Sequence, residues 1–144
     1  MRTDWAGVFP AITTKFRSDA SVDRDAIAAH CEFQITNGVH GLVVAGSLGE
    51  NGVLSIAEKL EVLQTAVTAS GGRLPVLLTV AETTTAAACE LVKTGAQKGA
   101  DGFMLLPPMR YVSDRRETLQ YLRSVAQSAE RPIMIYNNPV AYGV

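Results

Sequence analysis

The chain is poor in the residues that mark metal, redox, nucleic-acid and membrane proteins. It has two cysteines and two histidines in 144 residues. Cys31 and Cys89 both fall in segments of helical periodicity and share no metal-ligand spacing. They read as reduced core thiols, not as a zinc site or a disulfide framework, and that usage fits the cytoplasm. His30 falls mid-helix and His40 just ahead of a strand, so neither is placed for catalysis or for a metal. Charge of one sign is also missing. Thirteen basic side chains face fourteen acidic ones, a net charge of −1, and the only basic pair is Arg115-Arg116. Nothing there selects nucleic acid or an anionic membrane as a partner. No apolar run reaches the ~18 residues of a membrane helix, and the first residues lack the charged-then-apolar pattern of a signal peptide. No low-complexity stretch or linker divides the chain. One soluble domain over residues 1–144 is expected.

What the chain does have is regular alternation. Apolar runs begin near Val8 (VFPAIT), Gly41 (GLVVAG), Leu74 (LPVLLTV), Gly102 (GFMLLP) and Pro132 (PIMIYN), at steps of 33, 33, 28 and 30 residues. That is the length of a strand plus its crossover helix. Each run is almost continuously apolar, as in a parallel strand covered on both faces. The intervening segments predict four helices. Asp23 opens the first and Asn37-Gly38 closes it. Ser55-Ile56-Ala57-Glu58 is a capping box for the second, with Leu60, Leu63 and Val67 as its buried stripe and Gly71-Gly72 as its stop. The third covers about 85–97, with Leu91 and Val92 inward. The fourth covers about 116–128 and carries Leu119, Leu122, Val125 and Ala126. Gly-x-x-Gly precedes a strand twice, at Gly38–Gly41 and Gly99–Gly102, which points to one supersecondary unit used repeatedly.

Alternating βα units leave an open doubly wound sheet or a (β/α)8 barrel. A closed barrel needs at least about 200 residues. The chain is therefore either a complete five-stranded sheet or the first five strands and four helices of a barrel. In both, chemistry sits at the carboxyl ends of the strands. Those ends carry Thr13, Thr14 and Lys15; Gly46, Ser47 and Leu48; Glu82 and Thr83; Pro107 to Tyr111; and Tyr136, Asn137 and Asn138. The rim is rich in hydroxyls and poor in carboxylates. Gly46-Ser47-Leu48-Gly49-Glu50 is a glycine-bracketed turn whose N–H groups suit a carboxylate or phosphate. It lacks the lysine of a nucleotide-binding loop, and a plain strand-to-helix turn accounts for it equally. Tyr136 at a strand end is open to a structural reading as well. Asp101, at a strand start, reads as a turn residue.

Taken together, these pieces resemble the dihydrodipicolinate synthase / N-acetylneuraminate lyase family of class I, Schiff-base aldolase-type enzymes. The resemblance runs along the whole chain: Gly7-Val8-Phe9-Pro10-Ala11, Asn37-Gly38-Val39 with Gly41, Gly46-Ser47-Leu48-Gly49-Glu50, Leu54-Ser55 with Glu58, Gly99-Ala100-Asp101-Gly102, Pro107-Pro108, and Tyr136-Asn137-Asn138-Pro139. It implies a TIM barrel of which residues 1–144 are the N-terminal part. It further implies a lyase or synthase in which a sixth-strand lysine forms an imine with a pyruvate-like 2-oxo acid. In that scheme Tyr136 moves protons to and from the adduct and Ser47 relays them, so these two are the catalytic candidates. The N–H groups around Ser47 and Leu48 hold the substrate carboxylate, and Arg110 and Asn138 are further substrate-binding candidates. The resemblance implies no metal and no cofactor beyond the covalent lysine imine. It also implies a homo-oligomer, a dimer or tetramer.

Three departures bear on the substrate. Arg110 stands where the family's synthases have a second tyrosine, with Tyr111 next to it. Ala141 stands where their arginine grips the second substrate, and Leu48 replaces the second hydroxyl of the turn. These changes argue against lysine biosynthesis. Gly49-Glu50-Asn51 with Tyr136-Asn137-Asn138-Pro139 and Tyr142 is closer to members that deaminate a hydroxylated pyrroline carboxylate. The imine-forming lysine is expected roughly 30 residues after Tyr136, beyond Val144. Lys59, Lys93 and Lys98 fall on helices as solvated charges, and only Lys15 is near the rim. The contrasting reading is a non-catalytic five-stranded α/β binding or structural module built from a barrel's first half.

Overall fold

A computed structural model describes residue 3, residues 5–107 and residues 113–138. Its elements alternate: α1 (Arg24–Thr36), β1 (Leu42–Val44), α2 (Ile56–Ser70), β2 (Val76–Val80), α3 (Thr85–Gln97), β3 (Gly102–Leu105), α4 (Arg115–Ser128) and β4 (Ile133–Ile135). Side chains set the helix starts. Asp23 accepts the Ala26 N–H, Thr84 accepts the Ala87 N–H, and reciprocal capping boxes join Ser55 to Glu58 and Asp114 to Glu117. At the end of α1, Gly38 takes φ 81°, the left-handed conformation that its position in the Asn-Gly pair predicts.

All strand pairs are parallel, in the order β1-β2-β3-β4. Register sorts the side chains into two faces. Val44, Leu78, Phe103 and Ile133 form one row, packed outward against the helices. Ile27 and Cys31 of α1, Val62, Leu63 and Ala66 of α2, and Leu91 and Val92 of α3 complete that core. Thr79, Met104 and Met134 form a neighbouring row on the inner face, as do Val43, Leu77 and Gly102. The Trp5 ring lies against Gly102, occupying the space a Cβ would take there.

The strand expected from Val8 is reduced to a bridge between Ala11 and Val43. The Ile12 N–H donates to Val43 O (2.9 Å), and the Val43 N–H donates to Pro10 O (3.0 Å). Pro10 has no N–H to extend the ladder. His40 anchors the same segment, because its Nδ1 accepts the Val8 N–H at 3.0 Å. Asp101 likewise serves the backbone, accepting the Val76 N–H at 2.9 Å.

Two helices bury residues that their apolar pattern does not mark. In α4 the core positions are Tyr121 and Val125, while Leu119 and Ala126 are exposed and Leu122 is half-buried. Tyr121 and Val125 are i and i+4 on one face, and Leu119 lies about 200° round the helix from Tyr121. In α2 Lys59 is not a solvated charge. Its side chain is 4% exposed and its Nζ lies 2.6 Å from Glu82 Oε1, itself 10% exposed. Lys93 and Lys98 are exposed as expected.

Candidate active site

Because every strand runs the same way, their carboxyl ends share one edge. β1 delivers the chain there through Ala45 and Gly46 into a single 3-10 turn, Ser47–Gly49. The turn is tightly closed. Gly46 O accepts the N–H groups of Gly49 (2.9 Å) and Asn51 (3.1 Å). Thr14 Oγ1 donates to Gly49 O at 2.6 Å from the neighbouring bridge segment. Gly49 is required by space, since a Cβ there would stand 2.9 Å from Ile12 O. Tyr136 arrives from the other side of the sheet. It directly follows β4, and its N–H continues the ladder by donating to Leu105 O at 2.9 Å.

Ser47 and Tyr136 line one cavity of about 510 Å³. Gly46 and Leu48 flank them, Val43, Met104 and Met134 of the inner face form a wall, and Trp5 and Phe9 are also part of the lining. Leu48 is 77% exposed and Tyr136 39% exposed. Asn138 is half-buried and is not among the residues lining this cavity. Arg110 lies outside the described residues, as do Tyr111, Ala141 and Tyr142. Lys15 is not in the lining either, and its Nζ donates to Thr13 Oγ1 at 2.8 Å.

Two buried hydroxyls carry no periodic signal in the sequence. Tyr121 Oη and Thr79 Oγ1 are buried without a hydrogen-bond partner among the described residues. Burial, followed by the charges at Glu82 and Cys89, holds the Tyr121 phenol well above its ordinary range. Thr79 sits on the inner face, and its Oγ1 would lie 3.6 Å from a Cβ built on Gly46. The one signal available for Lys59 was spacing: it precedes Val62 and Leu63 by three and four residues, on the buried stripe.

The model of the Dihydrodipicolinate synthetase family matches residues 4–144. The chain belongs to this family. Within it, the chain is 43% identical over 144 residues to an uncharacterized DapA-like lyase of Rhizobium meliloti, covering 100% of this chain and 48% of that protein. It is 36% identical over 133 residues to the 4-hydroxy-tetrahydrodipicolinate synthase of Rhizobium meliloti (strain 1021), covering 92% and 45%. Among solved structures it superposes with a TM-score of 0.93 and 30% identity on YagE, a prophage protein of the dihydrodipicolinic acid synthase family from E. coli K12 in complex with pyruvate. That match covers 98% of this chain and 47% of YagE. The chain thus spans about half the length of the relatives it matches. Its parallel sheet and helices are part of the TIM barrel of this dihydrodipicolinate synthetase family. No helix among the described residues is long and apolar enough to cross a membrane.

Proposed function

We propose that this chain is the N-terminal part of a Schiff-base lyase or synthase acting on a pyruvate-like 2-oxo acid or a cyclic imine carboxylate. The observation that carries the reading is the convergence of Ser47 and Tyr136 on one cavity at the carboxyl edge of the sheet. The imine-forming lysine belongs, in this reading, to barrel sequence beyond residue 144. Its amine attacks the substrate carbonyl and water leaves. The resulting iminium draws electrons from the adjacent carbon, so a proton or a carbon substituent there can depart and leave an enamine. Tyr136 takes and returns the proton, and Ser47 relays it. The N–H groups of Ser47 and Leu48 hold the carboxylate, with Arg110 and Asn138 as further contacts. The same apparatus serves a hydroxylated pyrroline carboxylate, in which a ring C=N replaces the carbonyl: the lysine amine adds to that carbon and the ring nitrogen leaves it as a tethered primary amine, with no water lost. The reaction so written needs neither a metal nor an organic cofactor. A homo-oligomer, a dimer or tetramer, is part of the reading and rests on the family resemblance alone. Two free cysteines are consistent with a cytoplasmic protein.

The test uses the complete gene product. Incubation with pyruvate and borohydride should fix an adduct on one lysine, seen by intact mass. Tyr136→Phe should lower turnover of the active substrate by about 100-fold, the usual scale for a positioned acid–base group. Pyruvate and hydroxypyrroline carboxylate, compared as substrates, choose between the two classes. No adduct with either would leave the non-catalytic module as the better account, and full turnover in Tyr136→Phe would remove Tyr136 from the mechanism.

A further inference from the structure

β1 does not lead smoothly into the turn. Ala45 is fully buried and takes φ 52°, and Glu50 takes φ 63°. Both are left-handed residues that are not glycine, so the backbone at each end of the turn is held against its preference. Glycine would relax position 45, but the Ala45 methyl is part of the core. The conformation therefore has to be held by contacts, and one side chain supplies them. Asn51, 5% exposed, reaches back across the turn and donates from Nδ2 to Ala45 O at 2.7 Å. A carbonyl can only accept, so the amide NH2 must face it. The Asn51 N–H meanwhile donates to Gly46 O at 3.1 Å. One residue thus grips the carbonyls of both residues that aim the chain toward Ser47.

We propose that Asn51 is a positioning residue. By holding Ala45 left-handed, it sets the direction in which the Ser47 hydroxyl and the Ser47–Leu48 peptides face the cavity. This rests on the reading above, in which those groups hold the substrate carboxylate. Asn51 itself does not line the cavity and acts only through the backbone.

The experiment is a double-mutant cycle in the complete gene product. Asn51→Ala and Ala45→Gly are made singly and together. The readouts are the pyruvate concentration giving half-maximal borohydride-trapped adduct, and the melting temperature. Asn51→Ala should raise the half-saturating concentration about tenfold, the effect of losing one buried hydrogen bond. In the Ala45→Gly background the same change should raise it less than about threefold, because glycine adopts the conformation unaided. Asn51→Asp, equal in size but unable to donate when ionised, should reproduce the loss and serves if Asn51→Ala does not fold. A lowered melting temperature with unchanged half-saturation would overturn the proposal, and so would an equal penalty in both backgrounds. If the unmodified protein forms no adduct with pyruvate, the same titration is run with hydroxypyrroline carboxylate, and if neither is trapped the Schiff-base reading fails and takes this inference with it. A normal adduct in the unmodified protein with no shift in the variants sinks this inference alone.

Discussion

Lys59→Met is the most demanding test of how the sheet edge is held. In the native structure the ammonium and the Glu82 carboxylate lie 2.6 Å apart with 4% and 10% of their side chains exposed. Methionine keeps the length and most of the volume of lysine but leaves Glu82 as an unpaired charge in a largely dry site. Removing one member of a buried pair costs about 3–5 kcal/mol, because the desolvation already suffered by the survivor is no longer offset. The slight exposure of Glu82 places this case near the lower end, about 3 kcal/mol. In a complete protein of about twice this length that corresponds to a drop of about 5 °C in melting temperature. The companion Lys59→Met/Glu82→Leu removes both charges and should return to within about 1 kcal/mol of the parent, since neither group then has to be desolvated. Urea unfolding followed by circular dichroism, with a common slope for all variants, measures both numbers. A single-mutant cost under about 1 kcal/mol would mean that water screens the pair. A double mutant no better than the single one would mean that Lys59 acts by packing.

Tyr121→Phe should stabilise the protein by about 1 kcal/mol in the same unfolding assay, because it deletes a buried hydroxyl that has no partner among the described residues; a loss of that size would reveal a partner. Gly49→Ala should cost about 1–3 kcal/mol, because the new methyl would stand 2.9 Å from the Ile12 carbonyl, a backbone atom that cannot swing aside; a neutral result would mean that the turn is free to shift. Burial pushes the Cys31 thiol up to about 11, so at pH 8 it stays protonated as well as enclosed. A native-state thiol reagent should therefore modify half-buried Cys89 first and reach Cys31 only as the chain opens. Equal rates would show that the α1–sheet core is loose.

The sequence was most legible where one physical rule acts locally. Asp23, Ser55 and the glycine after Asn37 bound their helices as capping predicts, because the orphan N–H and C=O groups they satisfy lie within four residues. The apolar runs made a parallel sheet, and a parallel sheet brings its carboxyl ends together. The shared cavity of Ser47 and Tyr136 follows from that. Reading failed where the deciding partner is remote or unexpected in type. Lys59 sat visibly on a buried stripe, yet nothing near it in the chain announces Glu82 twenty-three residues away. Tyr121 is less apolar than Leu119, yet the phase set by Val125 puts the tyrosine and not the leucine in the core. The first strand was overcounted because Pro10 breaks the ladder from within an apolar run. The left-handed Ala45 left no trace at all, because alanine carries no preference for that conformation and its restraint comes from a side chain six residues on.

Trp5, resting on Gly102 at the amino end of β3, gives the cavity an optical handle. It is the one tryptophan in residues 1–144, and its indole lines the same space as Ser47 and Tyr136. A molecule that settles there changes the surroundings of the ring, so indole emission at this position follows occupancy without any added label.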